Sequence, residues 1–485
     1  MAFASPEPGR PSRRRLRRRR RLVAAGAVVA AAIVVLVVLL SGGGPPPLPL
    51  PGLGRPARAG DPFGYVASGQ NQFVARATAG EAHVLFTKSP GGAFATAGRV
   101  ASWRGLIEAA SAGTGIDPDT LEGIVFLESA GDPNAIAGGD PAGAAGLTQI
   151  VASTGQALLG MRINLARSST LTAEIDRATA LGDEATLVRL ERARAKVDDR
   201  FDPRLALAAT VRYLQIARRE FGRADLAVVS YHMGIGNLMD VLAAYNGGRP
   251  VPYVQLFFDT APDRHPAAYQ LLSGFGDDSW TYYWRVLAAE EIMRLYRTRP
   301  GALRRLAALQ TATDSAAYVL HPPDRAAAFS DPDSLAVAYA HRLILPLPSN
   351  ARALGLEYDP GMGSLARRLG FTPAVYRGLR APALDLLIEL AARVRALSGG
   401  RAPLIVTGTV LDLRYQQLLG IDDPVAATGW SFTIARRYVS EAQALAFQAM
   451  LDRLQALDVI AWERYPDQIE ITVASDAGRV ITQGV

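Results

Sequence analysis

At 485 residues the chain is too long for one ordinary core, so two or three domains are expected. Apolar residues make up 49% and charged residues 20%, a globular composition without the signature of disorder. The formal charge of +7 is concentrated: residues 1–21 hold nine Arg and one Glu, leaving 43 basic and 44 acidic groups in the rest. The basic character therefore belongs to a tail and gives no reason to expect a nucleic-acid partner, while the lack of cysteine excludes disulfides, lipidated thiols and thiol catalysis.

In chain order, the basic tail (1–21) is followed by 19 residues without a charge or strongly polar group, 22–40. That length crosses a bilayer, and the arginines before it place the N-terminus in the cytoplasm and the rest outside. The expectation is a single transmembrane helix anchoring the chain in the cell membrane. A cleavable signal peptide is the rival, although the run is long for one and no clear small-x-small site precedes Gly42. Residues 41–60 are rich in Pro and Gly and read as a spacer. Residues 61–101 read as a short β-containing segment, with strand character at 72–78 and 83–88 and a turn at Ser89-Pro90-Gly91-Gly92. From 102 to 299 the periodicity is helical almost throughout, clearest at 205–219 and 237–245, with an exposed helical pair expected within 158–197. Residues 300–375 read as a connector. Residues 376–485 read as an α+β domain: helices at 382–397 and from Ser440 to about 457, and strands near 404–410, 459–462 and 469–473. The fold class expected is thus multidomain, with a mainly α central domain and a C-terminal α+β domain.

The chemistry concentrates at Ile116–Ile150. Asp117 and Pro118 open a helix as N-cap and first residue. Its inward stripe is Leu121, Ile124, Val125 and then Glu128, whereas Glu122 points elsewhere. A carboxyl in an apolar stripe is costly; partial burial raises its pKa and suits a general acid. Periodicity alone leaves open that Glu128 simply turns into solvent.

Two blocks surround it: Glu128-Ser129-x-Gly131-x-Pro133-Asn134-Ala135, then Gly143-Ala144-Ala145-Gly146-Leu147-Thr148-Gln149-Ile150 with Thr154 beyond. Together they resemble the signature of the soluble lytic transglycosylase and goose-type lysozyme family, over about a quarter of the chain. The resemblance implies a lysozyme-like fold, with Glu128 as catalytic acid, Ser129 as a helper orienting substrate, and Asn134, Gly146 and Gln149 as substrate-binding residues. The family's third block, Tyr-Asn-x-Gly, has its counterpart in Tyr231-His232-Met233-Gly234-Ile235-Gly236-Asn237, which puts Tyr231 in the groove. Ala244-Tyr245-Asn246-Gly247-Gly248 is the alternative. His232 reads equally as a packed histidine or a groove residue.

The resemblance implies a reaction with one carboxyl. Glu128 protonates the oxygen between N-acetylmuramic acid and N-acetylglucosamine, then as a carboxylate accepts the C6 hydroxyl proton while a 1,6-anhydro ring closes. No metal or cofactor is required, and the partner is the peptidoglycan glycan strand; the oligomeric state is not legible. Two alternatives stand beside it: an inactive wall-binding scaffold, and a muramidase that hydrolyses the same bond.

The last 110 residues resemble D-Ala-D-Ala zinc peptidases of the lysostaphin-like group through 404–410, Tyr415-Gln416-x-Leu418-Leu419, Gly429-Trp430-Ser431-Phe432 and 469–473. The group's zinc-ligand positions fall on Ala426, Thr433 and Glu470, and its general-base position on Asp467. A zinc site needs three donors, and the five histidines (83, 232, 265, 321, 341) all lie outside this domain. An inactive domain that binds or positions wall peptide is expected, against an active peptidase.

Overall fold

The computed structural model describes residues 61–276 and 278–483; the basic tail, the 22–40 anchor and the 41–60 spacer lie outside the described residues. Among the described residues no single helix is long and apolar enough to cross a membrane.

The first described segment corrects the expected β character of 61–101. It forms helices Gln70–Gly80, His83–Lys88 and Ala93–Ala101. The cause is spacing: Phe73 and Ala77, both fully buried, stand four apart, and Leu85 and Phe86 are adjacent, so neither run alternates sides as a strand does. The turn at Ser89 forms, with Gly92 N–H on the Ser89 carbonyl at 2.8 Å.

The helix Pro118–Ser129 begins as the sequence implies, with the Asp117 carboxylate accepting Asp119 N–H at 2.9 Å and Pro118 in the first turn. It packs against Tyr282–Thr298, a helix that carries the fully buried Trp284. Helices Pro203–Phe221, Ala224–Met233 and Ile235–Asn246 complete this part of the core. The expected helical pair is Leu165–Leu181 and Glu184–Ala195, turned at Gly182 and closed on a small cluster of Leu171, Ile175, Ala178 and Leu190. Its base is fixed by an ion pair buried completely on both sides, Arg200 with Asp198 at 2.7 Å. Further hydrogen bonds from Arg200 to the carbonyls of Pro141 and Gly143 supply the extra partners that a buried charge requires.

The C-terminal part is α+β. Its five-stranded sheet runs in the spatial order Leu356–Tyr358, Leu404–Gly408, Ser431–Ala435, Gln468–Val473, Ile460–Arg464. The first pairing is parallel and the others antiparallel. Helices Ala381–Ser398 and Glu441–Ala456 share the sheet's apolar core. Ser440 caps the second of these by accepting Gln443 N–H, and the Gln443 side chain reaches back one residue further than a capping box requires, to Val439 N–H. The stretch 300–375 is more than a connector. It contributes the edge strand Leu356–Tyr358, and Leu335, Ile344 and Ala366 close a cluster with Val410 and Tyr415.

The two halves share one core, which runs from Phe73, Tyr245 and Trp284 to Leu387, Phe447 and Ile471. At the seam the Arg453 guanidinium donates to the carbonyls of Phe258, Thr260 and Phe63. Gly80 packs so closely there that a Cβ would stand 2.0 Å from the Gln455 carbonyl oxygen. Gly80→Ala should therefore force the halves apart and cost about 1–3 kcal/mol, the scale of an overpacked core. Denaturant unfolding checks this; an unchanged midpoint would show that the seam is soft.

Candidate active site

The helix Pro118–Ser129 stops because Ala130 turns left-handed (φ 53°), with its N–H still on the Phe126 carbonyl at 3.2 Å. The chain beyond is tied to its neighbours. Arg99 Nε donates to the Ala130 carbonyl at 3.0 Å, and the Trp103 indole N–H donates to that of Gly131 at 2.8 Å. The last turn, which carries Glu128, therefore has a fixed direction.

Glu128 is half-buried, and the Tyr282 hydroxyl donates to its Oε1 at 2.7 Å. Burial pushes its pKa above the ordinary carboxyl value, opposed by the nearby His232 and by the Tyr282 hydrogen bond. His232 stacks on the Tyr282 ring at 5.0 Å and hydrogen-bonds Ser279 Oγ at 2.9 Å, so this exposed histidine belongs to the site. Glu128 lies in a cleft of about 640 Å³ that Ser129, Gln149, Lys88, Asp278 and Arg285 also line, with Leu85, Phe126 and Ile136 on the apolar side.

The remaining residues expected from the sequence take different places. The Ser129 hydroxyl donates to the Leu147 carbonyl at 2.7 Å and accepts Gly131 N–H at 3.2 Å. It ties the helix end to the Gly146–Gln149 turn and has no free proton for a sugar. Gln149, left-handed at φ 51°, spends its amide N–H groups on the Ala135 and Gly146 carbonyls, which leaves Oε1 as its free polar end. Asn134 lies outside the cleft lining, because its Oδ1 accepts from Arg194 of the inserted pair at 2.9 Å. Gly146 is also outside the lining; its φ is 81°, and a Cβ there would stand 1.9 Å from the Arg200 carbonyl oxygen, so it serves close backbone approach. Asn134 and Gly146 thus stand behind the cleft wall in this structure, outside the residues that line it.

Of the two candidate tyrosines, Tyr231 is the one beside the site. Its hydroxyl donates to the Thr148 carbonyl at 2.7 Å, and burial together with the Glu128 charge pushes its pKa well up. It too lies outside the cleft lining and supports it from behind. Tyr245 is buried elsewhere, bonded to Asp259 at 2.7 Å and packed on His265. Glu122 points away from Glu128, as expected, but is fully buried and ion-paired to Arg104 and Arg297.

The sequence reading missed Tyr282, Arg285 and Lys88. Tyr282 stands 154 positions from Glu128, and its signal was the aromatic run Tyr282-Tyr283-Trp284 at a helix start.

A protein-family model, described as the transglycosylase SLT domain, matches residues 105–180 and 183–250. These include Glu128, Gln149 and Tyr231 but end short of Tyr282. These residues, under half of the chain, are similar to a transglycosylase SLT domain. The chain is accordingly an enzyme of the peptidoglycan lytic transglycosylase class, a lyase acting on polysaccharide. Neither the curated proteins nor the solved structures contain a match to the chain.

In the C-terminal unit, Ala426, Thr433 and Glu470 do converge, around a cavity of about 560 Å³. Thr433 and Glu470 face each other across paired strands. Burial, reinforced by Asp423, pushes the Glu470 carboxyl up. Asp467 is exposed in the turn before Gln468–Val473 and does not line the cavity, so the general-base position is not presented to it. Among the described residues no group of three or more His, Cys, Asp or Glu is placed to hold a metal ion, and the residues present do not fit zinc.

Because the Glu128 pKa is raised on folding, its contribution to stability is complete below the ordinary carboxyl range and is lost as pH rises through the folded value. Glu128→Gln, which can still accept from Tyr282, should thus unfold at a higher temperature than wild type at pH 9, with the advantage vanishing near pH 4. Calorimetry at the two pH values checks this; an equal gain at both would mean that burial of the charge is not the cause.

Proposed function

We propose that the chain is a membrane-anchored lytic transglycosylase that cleaves the bond between N-acetylmuramic acid and N-acetylglucosamine without water, with Glu128 as acid and then base. The observation that carries this reading is the Glu128 carboxyl, half-buried in a cleft, raised in pKa and held at one oxygen by Tyr282. Held by Oε1, the group keeps Oε2 free to present its proton to the glycosidic oxygen. Once the proton has gone, the Tyr282 bond and the nearby His232 stabilise the carboxylate, which is then the base for the sugar's C6 hydroxyl. The attacking oxygen belongs to the sugar already bound, so orientation takes the place of a captured water.

Hydrolysis needs a second carboxylate to activate water or form a covalent intermediate. Among the described residues, the other carboxylate lining the cleft is Asp278, which is ion-paired to Arg285. In this structure that pairing occupies the acid, and the identity of the released ends separates the non-hydrolytic reading from the muramidase. The C-terminal unit is read as an inactive peptidase-like domain that positions wall peptide, and residues 22–40 as the membrane anchor with everything after them facing the wall. Protease added outside spheroplasts should digest the chain beyond residue 42 while sparing the Arg tail; a mature protein that starts near 42 and washes off in salt would remove the anchor.

The chemistry is tested by mass spectrometry of muropeptides released from purified wall. Wild type should yield 1,6-anhydro ends, and Glu128→Gln should lose at least ~10²-fold in turnover, the usual scale for a positioned general acid. Glu291→Gln, an exposed substitution outside the cleft lining, is the control and should be unaffected. Hydrated reducing ends would favour a muramidase, and full activity in Glu128→Gln would leave the scaffold reading. Tyr282→Phe removes a bond that lowers the Glu128 pKa, so the alkaline limb of the pH–rate profile should move to higher pH. A shift to lower pH would contradict the role given to Tyr282.

A further inference from the structure

The cleft around Glu128 carries two cationic side chains that the bond-breaking chemistry does not use. Arg285 stands three residues after Tyr282 on the same helix, on the same face as the hydroxyl that holds Glu128. Its side chain is only 15% exposed. One end pairs with Asp278, itself 61% exposed, and Glu81 is 3.6 Å from Nε, too far for a hydrogen bond. Nε is buried with no hydrogen-bond partner. The guanidinium is therefore held in place but under-satisfied, with a solvent-facing acid as its nearest partner. Lys88 lies at the end of His83–Lys88, exposed, and forms no ion pair among the described residues.

Among the described residues, the charged side chains lining the cleft are Lys88, Arg285, Asp278 and Glu128. Burial pushes Glu81, behind Arg285, up to about 7, which weakens it as a counter-ion. On the proposed mechanism Glu128 enters as a neutral acid; Asp278 and Glu81 both pair with Arg285, which leaves Lys88 as the lining cation without an ion pair among the described residues. A planar guanidinium in the same cleft as an ammonium without an ion pair suits a carboxylate, which the guanidinium can grip by two parallel hydrogen bonds. The muramyl residue brings one: its lactyl group ends in a free carboxylate when no peptide is attached, and otherwise in an amide that leads to the carboxylates of a stem peptide.

We propose that Lys88 and Arg285 form a carboxylate-binding subsite of the cleft, which selects glycan carrying a free carboxylate next to the bond to be cleaved. This deepens the transglycosylase reading and rests on it for the position of that bond. Asp278 acts as a stand-in for the substrate carboxylate and is displaced when it arrives. Substrate binding thereby exchanges one anion for another on Arg285 and adds the contact to Lys88.

The test is a binding measurement, so that it does not depend on turnover. Glu128→Gln protein is titrated with three soluble glycan oligosaccharides: one with free lactyl carboxylates, one with the lactyl groups capped as neutral methylamides, and one bearing stem peptides. At least one anionic glycan should bind about tenfold more tightly than the capped one, the worth of a charge-assisted pair, and the preference should shrink as salt rises. Adding Lys88→Gln, an exposed change that leaves folding alone, should cut that preference to about threefold or less while affinity for the capped glycan stays the same. Arg285→Lys keeps the charge but loses the fork and should lower the preference partway. If only the lactyl form is preferred, the carboxylate is the sugar's own; if only the peptide form is, it comes from the stem. Equal affinity for all three glycans, or a Lys88→Gln variant that weakens all three alike, would overturn the subsite. Normal turnover by Glu128→Gln would overturn the catalytic assignment instead and would leave these affinity ratios readable.

Discussion

A carboxyl group set into an apolar helical stripe is tolerated only where a hydrogen bond meets it and where its proton can remain. Here the first is met by one contact, the Tyr282 hydroxyl on Glu128 Oε1, and the second by burial, which raises the carboxyl's pKa against that bond. Much of the surrounding architecture serves that contact. The helix carrying Glu128 is fixed at its end by Arg99 and Trp103. The helix carrying Tyr282 is fixed by Trp284, which is buried among Tyr253, Phe257 and Phe258. With both ends of the bond held by packing, the carboxyl is oriented before substrate arrives. The reaction then meets a group that needs no reorganisation.

What the sequence made legible was local. The Asp117-Pro118 start, the stripe that ends in Glu128, the Ser440 cap and the α+β character after residue 376 are decided by neighbours within a turn or two, and the structure has them all. The segment 61–101 was misread because β-branched residues in short runs satisfy either period. What decides it is which residues find a partner surface, and Phe73 finds Phe258. The site residues divide in the same way. Glu128 and Gln149 could be placed by motif, but the motif could not tell a residue that touches the cleft from one that builds its wall. Asn134, Gly146 and Tyr231 are of the second kind, spent on Arg194, on the Arg200 backbone and on Thr148. Tyr282 and Arg285 were illegible because nothing near them in sequence records that they reach a group more than 150 positions away.

The C-terminal unit bears on the same contact. Tyr282 and Trp284 belong to the apolar cluster that also contains Leu387, Phe447, Leu454 and Ile471. Removing the C-terminal unit would expose part of that cluster. The seam is built for permanence. Arg453 carries a buried charge whose pKa is lowered to about 10 by burial, and the carbonyls that receive it come from the other half. Asp61, at the start of the described chain, accepts from Arg264 on one side and Arg393 on the other. Charges buried at such a junction are costly to separate, since parting them leaves each unpaired in a dry environment. A hinge between the halves would have to open through these groups, so the two move as one body at ordinary temperature. A unit that lacks donors for zinc still contributes to the whole: it completes the core against which the helices carrying Glu128 and Tyr282 are braced.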